Sequence, residues 1–124
     1  MQVKTDTKEK FHVITLPGNS LSASMTEELN NYLLSFLQND VKNVVLVLKD
    51  IQTMDNAAAE NLVKLQQQFY EQKVSFVICE LQKAVEKFLD KNELLELMNV
   101  APTESEAADI VQMEEMEREM FDEE

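Results

Sequence analysis

Residues 44–65 read VVLVLKDIQTMDNAAAENLVKL. With Asn43, the first residues form the run NVVLVL, whose aliphatic part, Val44 to Leu48, is unbroken and rich in valine. A strand of that composition is covered on both faces, as in a parallel or mixed sheet flanked by helices. Thr53-Met54-Asp55 then reads as a strand end and a short turn. From about residue 57 to about residue 72, Ala58, Leu62, Leu65 and Phe69 recur at helical spacing and predict an amphipathic helix. Loops that lead from strand to helix often carry function. Here, where a hydroxyl or a glycine is expected, the chain has Ala57-Ala58-Ala59.

Upstream, residues 2–16 alternate and favour strand, most clearly at FHVITL, with TKEK as a hairpin turn. Pro17-Gly18-Asn19-Ser20 breaks the pattern. A helix follows. Ser22 or Ser24 is its expected cap, Ser24 and Glu27 have capping-box spacing, and Glu27 and Glu28 suit the helix dipole. Met25, Leu29, Tyr32, Leu33, Phe36 and Leu37 share one helical face.

Downstream, VSFVIC (74–79) predicts a second buried strand, and Leu81, Ala84, Val85, Phe88 and Leu89 a third helical stripe. A short strand is expected near Leu97–Val100. Pro102 ends it, and Thr103 or Ser105 caps a final helix. The order β, β, α, β, α, β, α, β, α predicts an α/β fold with one sheet.

At 124 residues the chain fits one domain with a real core. Its aliphatic runs are too short to cross a bilayer, and MQVKTDTKEKFHV lacks the apolar stretch of a signal peptide. The lone Cys79 permits no internal disulfide. A cytoplasmic protein is the expectation. The formal net charge of −13 argues against nucleic acid and against an anionic membrane surface. It suits solubility, and it is compatible with a basic protein partner. Residues 104–124 hold ten acids and one base, Arg118, a net of −9 that leaves −4 for the rest. We therefore expect a domain over residues 1–112 and an acidic C-terminal helix or tail over 113–124. Glu115 and Glu119 repel at helical spacing, so the turns from Glu114 onward are expected to fray and to be dispensable for folding. Met113, Met116 and Met120, with Ile110 and Phe121, form a loose apolar stripe. It either docks the last helix or makes a partner or self-association face.

The segments VITLPGNSLSASMTEELNNYLLSFL, VVLVLKDIQTMDNAAAENLVKL and VSFVICELQKAVEKFLDKNELLEL together resemble a STAS domain, over about residues 3–112. This is the fold of bacterial anti-sigma factor antagonists and of the cytoplasmic part of sulfate transporters. The resemblance implies a single mixed sheet with helices mainly on one face. The family motif after the central strand is Asp-Ser-Ser-Gly or Asp-Ser-Thr-Gly, and its second hydroxyl is phosphorylated by a partner kinase that is also an anti-sigma factor. In this chain Asp55 matches the family aspartate and Asn56 the first serine. Ala57 falls on the phosphoacceptor and Ala58 on the glycine. The earlier Gly-Glu-Leu-Asp motif falls on Gly18-Asn19-Ser20-Leu21, without its acids.

The implied role is a non-enzymatic protein-binding module in partner switching, with Asp55, Asn56, Ala57, Ala58, Gly18, Asn19 and Ser20 facing an anti-sigma factor or kinase-like regulator. Phosphorylation at the family site is not expected. The alternative is a STAS adaptor subunit of a membrane system that transports lipid or anions. No cofactor, metal or catalytic residue is implied.

The same residues have plainer readings. Asp55 and Asn56 are strong helix caps. The three alanines either let the helix pack closely on the sheet or form a flat contact patch. Thr53 and Ser75 are nearby hydroxyls, expected in or beside strands where a kinase reaches poorly. Asp50 at a strand end resembles the acceptor of a receiver domain, but VITLPGNS lacks the acidic pair such a site needs for its metal. His12 has no second ligand at metal spacing and is expected at a partly exposed strand position. Cys79 reads as a small buried hydrophobe. With Gly18 as the only glycine, no phosphate-cradling loop can form.

Overall fold

A computed structural model describes residues 2–122, and side chains as far as Met120. The Phe121 side chain in the apolar stripe, and the end of the tail expected over 113–124, lie outside what is described. The elements run β1 (Lys4–Thr7), β2 (Phe11–Thr15), β3 (Ser20–Leu21), α1 (Thr26–Ser35), β4 (Asn43–Val47), β5 (Thr53–Met54), α2 (Asn56–Glu71), β6 (Phe76–Cys79), α3 (Lys83–Lys91), β7 (Val100–Ala101) and α4 (Glu104–Asp122). Five strands form one sheet in the order β1-β2-β4-β6-β7. The β1–β2 hairpin is antiparallel, and the other pairs are parallel. Parallel pairs need crossovers, and α1, α2 and α3 supply them.

Strand β4 lies at the centre, buried from end to end, as its composition requires. Its alternate residues face two cores. Val44, Leu46 and Leu48 join Ile14, Phe76 and Ile78 beneath α1, α2 and α3. Val45 and Val47 join Val13, Val77 and Cys79 beneath Ala107 and Val111 of α4. Three helices therefore cover one face and one covers the other. Cys79 is fully buried, and burial, helped by the charges of Glu80 and Glu104, pushes its thiol up to about 12, so it stays protonated and inert at neutral pH.

Several local expectations are corrected. The serines do not cap α1. Residues 23–25 form a 3-10 turn ahead of the helix, and the Ser22 and Ser24 hydroxyls bond each other instead (2.9 Å). Leu97 closes a 3-10 turn and is 58% exposed, and β7 begins only at Val100. Ala84 faces outward while Val85 and Leu89 face the core. His12 is buried, not partly exposed. Its Nε2 donates to the Val41 carbonyl (2.8 Å), its Nδ1 meets the Thr7 hydroxyl (3.0 Å), and its ring lies against Phe36. Thr103 caps α4 through the Glu106 N–H (3.1 Å).

Helix α4 crosses residue 112 without a break. Beyond it, Glu114, Glu115 and Arg118 turn back to the body. Arg118 donates to the Ser75 hydroxyl (2.9 Å) and to Glu115 (3.0 Å), and Asn43 donates to Glu115 (2.7 Å). Tyr70 donates to Glu114 (2.8 Å). Burial first, then the Glu114 carboxylate, pushes the Tyr70 phenol up to about 12, so it remains a donor at neutral pH. The like charges that predict fraying are offset here by inward contacts.

Candidate functional site

The C-terminal ends of parallel strands open onto loops, and in α/β sheets ligand and partner sites gather there. At this edge two segments far apart in sequence are paired. The two-residue strands β3 and β5 run parallel, with Ser20 beside Thr53 and Leu21 beside Met54. The Gln52 N–H donates to the Asn19 carbonyl (2.7 Å), and the Asp55 N–H to the Leu21 carbonyl (3.1 Å). Gly18 sits just before this ladder at φ +81°, the left-handed region. Nothing lies within 4 Å of where a Cβ would stand, so backbone conformation, not space, favours glycine here.

Asp55 fastens three elements. Its Oδ1 accepts from the Ala58 N–H (2.8 Å) as the N-cap of α2. Its Oδ2 accepts from the Ala23 N–H (2.8 Å) of the 3-10 turn before α1. The sequence showed the cap but not the second bond, because Ala23 is 32 residues away and has no side-chain signal. Asn56 donates to Glu60 (2.8 Å) along the helix. Between α1 and α2, Asn30 and Asn61 exchange amide hydrogen bonds (3.0 and 2.7 Å). Neither was expected to matter, and only their facing positions reveal the pair.

Six of the seven expected site residues, Gly18, Asn19, Ser20, Asp55, Asn56 and Ala57, are exposed on this one surface. Ala58 is not: it is 1% exposed and packs in the core with Ala59. The two readings of the alanines thus divide by position. Ala58 and Ala59 let α2 approach the sheet, and Ala57 presents a bare methyl at the helix start. Thr53 is exposed in β5, contrary to expectation. Ser75 is fully buried at the opposite end of the sheet, where its carbonyl accepts from the Val44 N–H, so it is not near the site. A cavity of about 200 Å³ adjoins the surface, lined by Gln52, Thr53, Met54, Ala84, Val85 and Phe88. The chemistry offered is docking: fixed backbone, a bare methyl, and amide and hydroxyl side chains around a carboxylate already held by two N–H groups.

The family model for the STAS domain matches residues 2–107. No curated protein sequence matches the chain. Among solved structures it is similar to a Thermotoga maritima protein described as a candidate anti-sigma factor antagonist, at 20% identity and TM-score 0.74 over 89% of this chain and 94% of that one. It is also similar to the Bacillus anti-sigma factor antagonist SpoIIAA in its unphosphorylated form, at 18% identity and TM-score 0.69 over 90% and 96%. A third similarity is to the murine anion transporter Slc26a9, at 14% identity and TM-score 0.70, over 84% of this chain and 18% of the transporter.

Proposed function

The chain belongs to the STAS domain family, and on that premise we propose that it is a non-enzymatic protein-binding module of the anti-sigma factor antagonist kind. Its partner is an anti-sigma factor or kinase-like regulator, bound in the cytoplasm as part of partner switching that controls transcription. The docking surface is Gly18, Asn19 and Ser20 with Asp55, Asn56 and Ala57. The observation that carries this reading is the joining of those two segments by the β3–β5 pair and the Asp55 clamp. Two segments held rigidly side by side need little further ordering on binding, which favours affinity.

Ala57 stands where the family places its phosphoacceptor and has no hydroxyl. The module is therefore not switched off by phosphate at that position. After incubation with a captured partner kinase and ATP, mass spectrometry should find no phosphate on residues 53–62. Thr53 is the exposed hydroxyl there, and stoichiometric phosphate on it would overturn this part of the reading.

Affinity capture with the full chain, followed by Ala57→Glu, tests the docking surface. A carboxylate at a helix start is favoured by about 0.3–1 kcal/mol, so the melting temperature should hardly move. In a close interface the same charge must be desolvated, so affinity should fall about tenfold or more. Unchanged affinity for the captured partner would remove the α2 start from the interface.

A second reading, an adaptor subunit of a lipid or anion transport system, is favoured by the similarity to part of the Slc26a9 transporter. Capture separates the two: a transporter ATPase or permease in place of an anti-sigma factor or kinase would select the adaptor.

A further inference from the structure

Four large hydrophobic side chains stand exposed among the described residues, and three of them share one face of α4: Met113 (57%), Met116 (63%) and Met120 (73%). At the α-helical step they fall within an arc of about 60°. That arc is opposite the docked face, where Ala107 and Val111 meet the sheet. Glu106, Asp109 and Glu117 project on the same outward side and are exposed. Arg118, the only base in the helix, is turned inward to Ser75 and Glu115. The outward face is thus methionine flanked by carboxylate, with no cation of its own. Beside Met116 it falls into a groove of about 490 Å³ with Phe11, Gln112 and Glu119 on its walls. Lys8 and Lys10 on the far wall are engaged by Asp6 (2.9 Å) and Glu119 (3.8 Å).

We infer that this face of α4, with the groove beside Met116, docks a basic amphipathic helical segment of a protein partner. Methionine is flexible and polarizable, so an exposed row of it moulds to apolar side chains of varied shape. An amphipathic helix would lay its apolar row along the three methionines, anchor a side chain in the groove, and set its flanking lysines or arginines against Glu106, Asp109 and Glu117. Charge complementarity selects this occupant. A second copy of the chain would bring two acidic faces together, and an anionic membrane or nucleic acid would be repelled. The face lies against the sheet side opposite α1, α2 and α3, away from the Asp55 surface, so the inference stands independently of the function proposed there.

The test uses the full chain with methyl-labelled methionine and a model peptide of about 18 residues, with leucine at i, i+3, i+4 and i+7 and lysine elsewhere. A peptide of the same composition in scrambled order is the control. The amphipathic peptide should bind saturably and shift the methyl resonances of Met113, Met116 and Met120, while those of Met25, Met54 and Met98 stay in place. The M113S/M116S/M120S variant should melt like the wild type, because these side chains are exposed, and bind about tenfold or more weakly. The scrambled peptide should bind weakly and alike to both proteins. The inference is overturned if scrambled and amphipathic peptides bind equally, if the variant keeps wild-type affinity, or if the shifts fall on Met25 or Met54. It is also overturned if sedimentation shows a dimer of the free protein that the triple substitution dissolves, since the occupant would then be a second copy.

Discussion

Replacing Asp55 with alanine is expected to lower stability by about 2–3 kcal/mol and to abolish partner binding at the α2 start. The residue looks exposed and ordinary, yet both of its carboxylate oxygens are engaged by backbone N–H groups, from Ala58 and from Ala23. Loss of an N-cap alone costs about 0.5–2 kcal/mol. The second bond, from a neutral donor to an ionised acceptor, adds about 1 kcal/mol once solvent exposure is allowed for. For a domain of this size the sum corresponds to a fall of about 10 °C in melting temperature. Binding suffers more, because the Ala23 bond ties the turn before α1 to the start of α2. Asp55→Asn separates the two contributions. Its Oδ1 can still accept from Ala58, but its amide cannot accept from Ala23, so about half of the stability loss should remain. Thermal melts of both variants check this. If Asp55→Asn melts with the wild type, the bond to Ala23 contributes nothing and the residue is only a cap.

Which parts of this architecture were legible in sequence follows from the range of each signal. The run from Val44 to Leu48 announced a strand buried on both faces because every side chain along it is apolar. The helical stripe of α2 was equally plain, and Asp55 marked its start within one residue. The β3–β5 ladder left no such trace. Two residues are too few for an alternating pattern, and the pairing is fixed by contacts 33 positions apart. Polar groups misled for a related reason. His12 reads as surface in a sequence, but in the fold it reaches the Val41 carbonyl and lies on Phe36. Gln66 likewise sits inside α2, 3% exposed, where its amide donates to the Phe76 and Asn99 carbonyls and accepts from the Asn99 N–H. Nothing in its spacing distinguishes it from the exposed Gln67 and Gln68. Such groups are acceptable in a core only when partnered, and the partners come from elements the local sequence does not describe.

A chain ending at Gln112 is expected to be less stable than the full chain by about 3 kcal/mol, and to melt about 10 °C lower. Charge counting alone leads to the opposite expectation, since the last turns are crowded with acids and should fray. Two clusters in the fold argue against it. At the N-terminal edge of the sheet, Arg118 and Glu115 bind each other and reach Ser75 and Asn43, the first fully buried and the second 5% exposed. Near the end of α2, Glu114 accepts from Tyr70, whose hydroxyl also meets the Asn99 amide. Hydrogen bonds to charged groups contribute about 1.5–3 kcal/mol each, and water entering the opened edge would restore part of that. Truncation would also leave fully buried Val111 in the terminal turn, where helices fray. Acid provides the check. Burial pushes the Glu115 carboxyl up, but hydrogen bonds from Asn43 and Arg118 outweigh it and hold it below its ordinary 4.5. A carboxyl lowered by folding stabilises the fold above its unfolded value, and that stabilisation is lost as pH falls through the folded one. The full chain should therefore lose this increment as pH drops from about 4.5 downward, and the chain ending at Gln112 should not. Arg118→Met should reproduce about half of the loss, since it removes the guanidinium bonds to Ser75 and Glu115 but leaves the Tyr70–Glu114 bond, whereas M113S/M116S/M120S should leave the melt unchanged. If the chain ending at Gln112 melts with the full chain at pH 7, these contacts contribute nothing net, and α4 beyond Gln112 serves only the face it turns to solvent.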